Sequence, residues 1–186
     1  PDETLGASDK WVRAGGVAPD HTLEVVNEQL TGAGTPSGGT SYAVYNFLDG
    51  GELDNDQYAS IDIVNFEATS GNSQVRLVVR DQGNDFQNHY ACEIQSNGDI
   101  VFLKRESGSS NTIGTAPSEG QGPYNTYSLV AEGTVPTTIT LYRGDPFTGV
   151  EVGSVEDNSS PLIGGTGGIL LFATNNEGYP TVDNFV

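Results

Sequence analysis

Residues 74–105, QVRLVVRDQGNDFQNHYACEIQSNGDIVFLKR, constrain the fold more than any other segment of the chain. Apolar residues recur at every second position in its runs, which is the period of a β-strand with one buried face. Residues 81–84 and 96–98 separate the runs, and their glycine and asparagine residues favour the positive φ angles of tight turns. The block therefore predicts three consecutive antiparallel strands.

Strand patterns recur about every ten residues along the chain, a spacing typical of a β-sandwich or barrel. No segment shows the 3.6-residue apolar stripe of a helix, and no internal repeat or shift in composition marks a boundary. The sequence therefore predicts a single all-β domain over residues 1–186. The predicted strands are 22–30, 41–48, 57–67, 74–80, 88–95, 99–105, 125–132, 137–143, 149–155, 167–173 and 181–186.

The sequence also predicts an irregularity in one strand and the positions of the loops. Strand 57–67 changes its buried face near Ile63-Val64, which predicts a β-bulge or a twisted end there. Segments rich in Gly, Ser, Thr and Pro predict loops at 31–40, 106–123 and 156–168, of which the second is the longest.

The tripeptide Arg143-Gly144-Asp145 matches an integrin-binding motif, but a Gly-Asp-Pro turn after strand 137–143 explains it.

The chain is strongly acidic. Its 7 Lys and Arg residues against 25 Asp and Glu residues give a net charge of 7 − 25 = −18. Such a surface repels nucleic-acid phosphates and anionic lipids, so it argues against a nucleic-acid or membrane partner. Cys92 is the only cysteine, which excludes an intrachain disulfide, and its place on an apolar strand face predicts a buried, inert thiol.

Several short motifs follow one another in an order known from other proteins. They include LDNDQYASIDI at 53–63, GNDFQNHYACEI at 83–94, NGDIVFLKR at 97–105 and TVDNFV at 181–186. Their order and sequence resemble those of concanavalin A-like and laminin G-like jelly-roll domains. The resemblance implies a two-sheet antiparallel β-sandwich. Such domains occur as carbohydrate-binding modules of secreted polysaccharide-degrading enzymes and as fibre, appendage or capsid-decoration modules of bacteriophages, so the fold leaves the function open.

The sequence lacks the catalytic motifs that this resemblance implies for an enzyme. Retaining glycosidases of the fold carry Glu-x-Asp-x-Glu or Glu-x-Asp-x-x-Glu on one strand, which places two carboxylates about 5.5 Å apart. The segment from Glu151 to Glu156 has no Asp at the middle position. His89 and Tyr90, residue types that a lyase uses, are adjacent and point to opposite faces of a strand. A non-enzymatic protein is predicted, with a polysaccharide lyase or hydrolase as the alternative.

Glycan binding requires aromatic platforms with polar groups beside them. Three tyrosines at loop edges or on solvated faces are predicted platforms, and three basic residues on the polar side of 74–105 are predicted to line a concave face. Solvated sheet charge that prevents edge pairing is the other explanation for the basic residues. The candidate ligand-binding residues are Tyr124, Tyr142, Tyr179, Arg76, Arg80 and His89.

Two acidic segments are candidate calcium sites, since calcium binds carboxylate and carbonyl oxygens. One is the loop 49–56, and the other lies beside the terminal strand. In jelly-roll modules that the chain resembles, a carboxylate there joins N-terminal residues, here Asp2 or Asp9, around calcium. Solvated turns, in which carboxylates accept backbone N–H bonds, are the simpler explanation for both segments. The candidate ligands are Asp49, Glu52, Asp54, Asp56 and Asp183.

The main functional prediction is a non-enzymatic virion surface protein, a phage capsid decoration or appendage module. Its partners would be capsid or tail proteins, and it would form an oligomer. The missing catalytic motif, the lack of a secretion signal and a first residue, Pro1, that is compatible with loss of an initiator methionine favour this hypothesis. The alternative is an extracellular carbohydrate-binding module, a laminin G-like lectin domain whose partners are glycans. A structural calcium ion is the only cofactor that the sequence suggests.

Overall fold

A computed structural model describes residues 3–4, 11–13, 22–26, 29–33, 41–48, 55–66, 73–82, 87–120, 125–174 and 179–184. Among these residues no helix is long and apolar enough to cross a membrane. The described residues form fifteen strands: β1 (Glu3–Thr4), β2 (Trp11–Arg13), β3 (Thr22–Val26), β4 (Gln29–Ala33), β5 (Ser41–Leu48), β6 (Gln57–Asn65), β7 (Gln74–Asp81), β8 (His89–Gln95), β9 (Ile100–Glu106), β10 (Ser109–Ala116), β11 (Thr126–Glu132), β12 (Thr137–Arg143), β13 (Val150–Asp157), β14 (Thr166–Thr174) and β15 (Thr181–Asp183).

The strands form two antiparallel sheets. The eight-stranded sheet has the order β1-β3-β4-β15-β6-β11-β12-β13, and the seven-stranded sheet has the order β10-β9-β8-β7-β14-β5-β2. The consecutive strands β7, β8 and β9 lie side by side, so the antiparallel arrangement predicted for residues 74–105 is confirmed. The predicted two-sheet antiparallel sandwich of the jelly-roll kind is also confirmed.

One hydrophobic core lies between the sheets, because alternate residues of each strand point inward. The seven-stranded sheet contributes Leu77 and Cys92, and the eight-stranded sheet contributes Ile61 and Leu129, all without solvent exposure. The prediction of a buried Cys92 is confirmed, and burial raises the pKa of its thiol. Cys92 therefore contributes packing and not chemistry.

The structure confirms the irregularity predicted in strand 57–67. In the pairing of β15 with β6, Val182 lies opposite Ile63 and Thr181 lies opposite Asn65, which leaves Val64 as the extra residue of a bulge. Val64 is exposed, and the next buried residue, Phe66, falls out of the earlier alternation. The bulge therefore moves the inward face of the strand by one residue.

The loop predicted for residues 106–123 is wrong in part, because residues 109–116 form β10. Its sequence, SSNTIGTA, has apolar side chains only at Ile113 and Ala116, and most of its residues are solvent-exposed, so it lacks the apolar alternation by which sequence reveals a strand. β10 lies at the edge of the seven-stranded sheet and pairs only with β9 among the described strands. Backbone pairing with β9 defines it, together with the packing of Ile113 and Ala116 against the core.

Small residues bring β10 close to β13, an edge strand of the other sheet. A Cβ atom added to Gly114 would lie 2.3 Å from Val155 Cγ1, and one added to Gly153 would lie 2.7 Å from Ala116 Cβ. Contacts this short require glycine at both positions. The two sheets therefore close on one another along this side of the sandwich.

Arg80 lies inside the sandwich, and not on the exposed face that the sequence predicts for it. A register shift between β7 and β14 interrupts the alternation, and Arg80 has a φ of 54°. Its guanidinium donates hydrogen bonds to Thr137 Oγ1 at 2.7 Å and to the carbonyl oxygens of Leu162 and Gly133 at 2.8 and 2.7 Å. A guanidinium buried among these acceptors stabilises the fold and does not reach a ligand on the outer face.

Lys104 also faces the interior, beside the loop 158–165. Its Nζ lies 2.7 Å from Asp157 Oδ2, which also accepts a hydrogen bond of 2.7 Å from Tyr90 Oη. Tyr90 Oη in turn accepts the Leu162 N–H at 2.9 Å. Burial alone would raise the pKa of Asp157, but the hydrogen bonds from Lys104 and Tyr90 outweigh burial and hold that pKa well below its usual range. These contacts fasten the loop to the seven-stranded sheet.

Candidate functional site

An open groove of about 320 Å³ lies on the outer face of the eight-stranded sheet. β6 forms part of its wall, because the odd-numbered residues of β6 enter the core and its even-numbered residues point outward. The loop 144–149, which follows β12, forms another part. The lining residues are Tyr58, Ser60, Asp62, Thr126, Asp145, Pro146, Phe147 and Asn184.

Asp145 determines the shape of the loop 144–149. Its Oδ1 accepts hydrogen bonds from the backbone N–H groups of Phe147 at 2.9 Å and Thr148 at 3.1 Å, as in an Asx turn. The Gly144 N–H donates to the Thr126 carbonyl oxygen at 2.9 Å, which ties the loop to β11. The turn predicted for this segment is confirmed, and the wall of the groove is therefore a structured loop.

Two aromatic side chains stand exposed in the groove. Tyr58 is 43% exposed and Phe147 is 76% exposed. Their ring centroids are 5.7 Å apart and their planes meet at 75°, an edge-to-face arrangement. Exposed aromatic faces beside polar groups are typical of ligand-binding sites. The pair thus offers two apolar surfaces, at an angle, to a ligand in the groove.

Asp62 organises the polar side of the groove. Its Oδ1 accepts a short hydrogen bond from Thr126 Oγ1, and its Oδ2 accepts one of 2.7 Å from Asn184 Nδ2. Asn184 has a φ of 48°, a left-handed conformation that asparagine tolerates better than most residues. Carboxylate oxygens are hydrogen-bond acceptors only, so this side of the groove suits ligand groups that donate.

The three predicted platform tyrosines have different locations. Tyr142 is half-buried on β12 of the eight-stranded sheet, and it does not line the groove. Tyr179 is 2% exposed and belongs to the core, so it cannot act as a surface platform. Tyr124 lies outside the described residues. The aromatic groups that do line the groove are not the ones that the sequence predicted.

The other two basic candidates lie on the seven-stranded sheet, away from the groove. Arg76 forms an ion pair with Glu93 on the next strand, with Nε 2.7 Å from Oε2. His89 is 3% exposed, and its Nδ1 lies 3.4 Å from Asp81 Oδ1. Burial lowers the pKa of His89, against the opposing effect of Asp81. The structure therefore does not gather Arg76, His89 and Arg80 on one exposed face.

Two of the predicted calcium ligands, Asp56 and Asp183, lie within the described residues. Asp56 accepts the Gly133 N–H at 2.9 Å, and Asp183 accepts the N–H of its neighbour Asn184 at 2.7 Å. Asp183 pairs with Asp62 in β6, six residues beyond Asp56, which at about 3.3 Å per residue separates the two candidates by roughly 20 Å. They cannot share an ion. No group of three or more His, Cys, Asp or Glu side chains gathers among the described residues. Asp2, Asp9, Asp49, Glu52 and Asp54 lie outside them.

The sequence carried a signal for both aromatic residues of the groove, which the prediction missed. Tyr58 stands at an outward position of a strand whose inward residues are small or aliphatic. Phe147 is an apolar residue within a polar Gly-Asp-Pro turn, where no core can cover it. An aromatic ring that the local structure forces into solvent is the feature by which both could have been found.

No protein-family model and no curated protein sequence matches the chain. Among solved structures, a carbohydrate-binding module, CBM66 from Bacillus subtilis, matches with a TM-score of 0.64 and 17% identity over 95% of this chain and 93% of that one. A prokaryotic β-1,3-1,4-glucanase (lichenase) from a mouse hindgut metagenome matches with a TM-score of 0.62 and 10% identity over 100% of this chain and 96% of that one. The exoplasmic/lumenal domain of VIP36, bound to Ca²⁺ and Man3GlcNAc, matches with a TM-score of 0.60 and 8% identity over 98% of this chain and 84% of that one.

Identities this low establish a fold and not an activity. The similar structures include a binding module, an enzyme and a glycan-bound exoplasmic/lumenal domain, and all share the arrangement of two antiparallel sheets found here. The chain therefore has the concanavalin A-like jelly-roll fold.

Proposed function

We propose that the chain is a non-enzymatic carbohydrate-binding domain that holds a glycan in the groove on the eight-stranded sheet. The exposed pair of Tyr58 and Phe147 carries this proposal. Aromatic faces pack against the C–H surfaces of sugar rings, while acceptors such as Asp62 and Asp145 take hydrogen bonds from sugar hydroxyls. Such a domain would work outside the cell, the alternative localisation that the sequence predicts.

The similar folds favour this function over the virion role. One of them is a carbohydrate-binding module and another is the exoplasmic/lumenal domain of VIP36 with bound Ca²⁺ and Man3GlcNAc. The role as a capsid decoration or appendage module stays a prediction from the sequence. It requires oligomerisation or binding to capsid or tail proteins, and sedimentation of the purified protein tests the first requirement.

Hydrolysis is the competing hypothesis, because a lichenase shares the fold. Two observations favour binding. The sequence has no Glu-x-Asp-x-Glu strand motif. In the groove, Asp62 and Asp145 already accept hydrogen bonds that maintain its wall, so both carboxylates have a structural role there.

The test is calorimetric titration with neutral β-glucan, mannan and fructan oligosaccharides, together with assays for new reducing ends. We expect binding of at least one neutral oligosaccharide and no release of reducing ends. F147A and Y58A should each weaken binding about tenfold to a hundredfold, because covering an aromatic side chain contributes about 1.5–3 kcal/mol. I163A, which truncates an exposed apolar residue outside the groove, is the matched control and should bind normally. Unchanged affinity in both aromatic variants would contradict the proposed site.

Calcium is not required by this proposal and remains a prediction that rests on Asp49, Glu52 and Asp54. Dialysis against a chelator, followed by thermal unfolding, tests it. A bound structural ion would raise the melting temperature by mass action, and the increase would disappear with the chelator and return with added Ca²⁺.

A further inference from the structure

The charge of the groove indicates which glycans it accepts, an inference that rests on the proposed carbohydrate binding. Asp62 and Asp145 line the groove, and no Lys, Arg or His is among its described lining residues. Asp183 lies next to Asp62 on the neighbouring strand. The basic residue nearest to Asp145 in the sequence is Arg143, and it forms an ion pair with Glu119 at 2.8 Å. Negative charge in the groove is therefore not balanced by the described residues around it.

Both groove carboxylates retain capacity to accept further hydrogen bonds. All the hydrogen bonds of Asp145 to described residues use Oδ1, so its Oδ2 remains for a ligand. Each oxygen of Asp62 accepts one hydrogen bond and has a second lone pair. A ligand that fills the groove must present donors to these oxygens. Hydroxyl groups can do so, and ammonium groups do so with charge assistance.

We infer that the groove selects glycans with free amino groups, namely oligomers of 2-amino-2-deoxy sugars, over the same sugars with acetylated amines, and that it rejects glycans of uronic acids. An ammonium group both donates hydrogen bonds and neutralises carboxylate charge. An acetamide keeps one N–H but carries no charge, and a uronate adds a third negative charge beside Asp62 and Asp145. Specificity of this kind combines an attractive contact with a repulsive one.

The test compares three short oligomers of equal length: glucosamine, N-acetylglucosamine and galacturonate. Calorimetry at about pH 5, below the pKa of the sugar amines and above that of the uronate carboxyl groups, measures their affinities. We expect the amine oligomer to bind about tenfold more tightly than the acetylated one, and the uronate not to bind at millimolar concentration. D145N should reduce the amine preference, because it removes one of the two carboxylate charges in the groove, while Asn keeps the Oδ1 that shapes the turn.

E156Q controls for attraction by the whole protein, since it removes one exposed negative charge from β13, outside the groove. Equal loss of the amine preference in E156Q and D145N would assign the preference to the net charge and overturn the inference. Uronate affinity equal to that of the amine oligomer would overturn it as well. In both cases binding of the acetylated oligomer would leave the proposed function standing, whereas binding of no oligosaccharide would contradict the proposed function itself.

Discussion

Tyr90 and Asp157 join the two sheets through a hydrogen bond of 2.7 Å, from a tyrosine on an inner strand of one sheet to an aspartate on an edge strand of the other. The same carboxylate faces Lys104 at 2.7 Å. The loop 158–165 is built on these side chains, because the Leu162 N–H donates to the tyrosine oxygen. The strength of this junction decides how firmly that side of the sandwich is closed.

D157N should lower the free energy of unfolding by about 1.5–3 kcal/mol at neutral pH, because the buried Lys104 loses the closer of its two carboxylate partners, while Glu106 Oε1 stays 3.0 Å from its Nζ. The pKa of Asp157 is lower in the folded than in the unfolded protein, so its stabilisation is present above about pH 4 and is lost as the pH falls through its folded pKa. Urea unfolding at pH 7 and pH 3 should therefore show a smaller difference between wild type and variant at the lower pH. E156Q, which removes the exposed neighbouring carboxylate, should change stability by less than about 0.5 kcal/mol.

R80M should destabilise the protein by about 3–5 kcal/mol, because the carbonyl oxygens of Gly133 and Leu162 lose their buried donor. R143M removes a guanidinium from an ion pair in which the arginine side chain is 45% exposed, and it should cost about 0–1 kcal/mol. Chemical denaturation of the two variants makes the comparison. Equal effects would mean that Arg80 is not held inside the sandwich.

His89 should titrate below the ordinary histidine pKa, because burial penalises its charged form and Arg105 and Arg76 oppose protonation, against the favourable effect of Asp81. A histidine whose folded pKa is lowered contributes stability that is present above about pH 6.5 and is lost as the pH falls through the folded pKa. H89Q should therefore unfold less steeply with acid than the wild type between about pH 7 and pH 5. Proton NMR of the two histidines, assigned with H21Q, measures the pKa directly.

Gly98 and Gly120 form a matched pair for substitution, since their φ angles are 91° and 82°. A Cβ atom on Gly98 would lie 2.1 Å from the Gly120 carbonyl oxygen, whereas one on Gly120 would meet nothing within 4 Å. G120A should cost about 1 kcal/mol from the backbone conformation alone. G98A should cost about 1–3 kcal/mol more from the added clash. Similar unfolding free energies for the two variants would show that the backbone at Gly98 and Gly120 moves apart at little cost, and would contradict this prediction.

Alternation predicted most of the fold, because a strand with one buried face records its environment in its sequence. β6, β7, β8 and β12 were predicted within about two residues at each end for this reason. β10 was missed because an edge strand with polar side chains buries little on either face. That residues 1–186 form one domain stays a prediction.

The site could be predicted far less well than the fold. Tyr179 is core, and Arg80 turns inward where the strands change register, and neither outcome follows from local alternation. Tyr58 and Phe147 meet only because the loop after β12 folds back over the sheet, a contact between residues far apart in the chain. A groove made from separate segments depends on that tertiary arrangement.

The polar strand β10 affects how the protein behaves at high concentration. Among the described strands, one side of its backbone has no neighbour, and such an edge can recruit another copy and extend into a fibre. Its register shift between Thr112 and Gly114 makes that edge irregular, and a net charge of −18 keeps copies apart. Salt screens the repulsion between the negative charges but does not change the irregular edge. Resistance to self-association in concentrated salt therefore depends on the irregular edge.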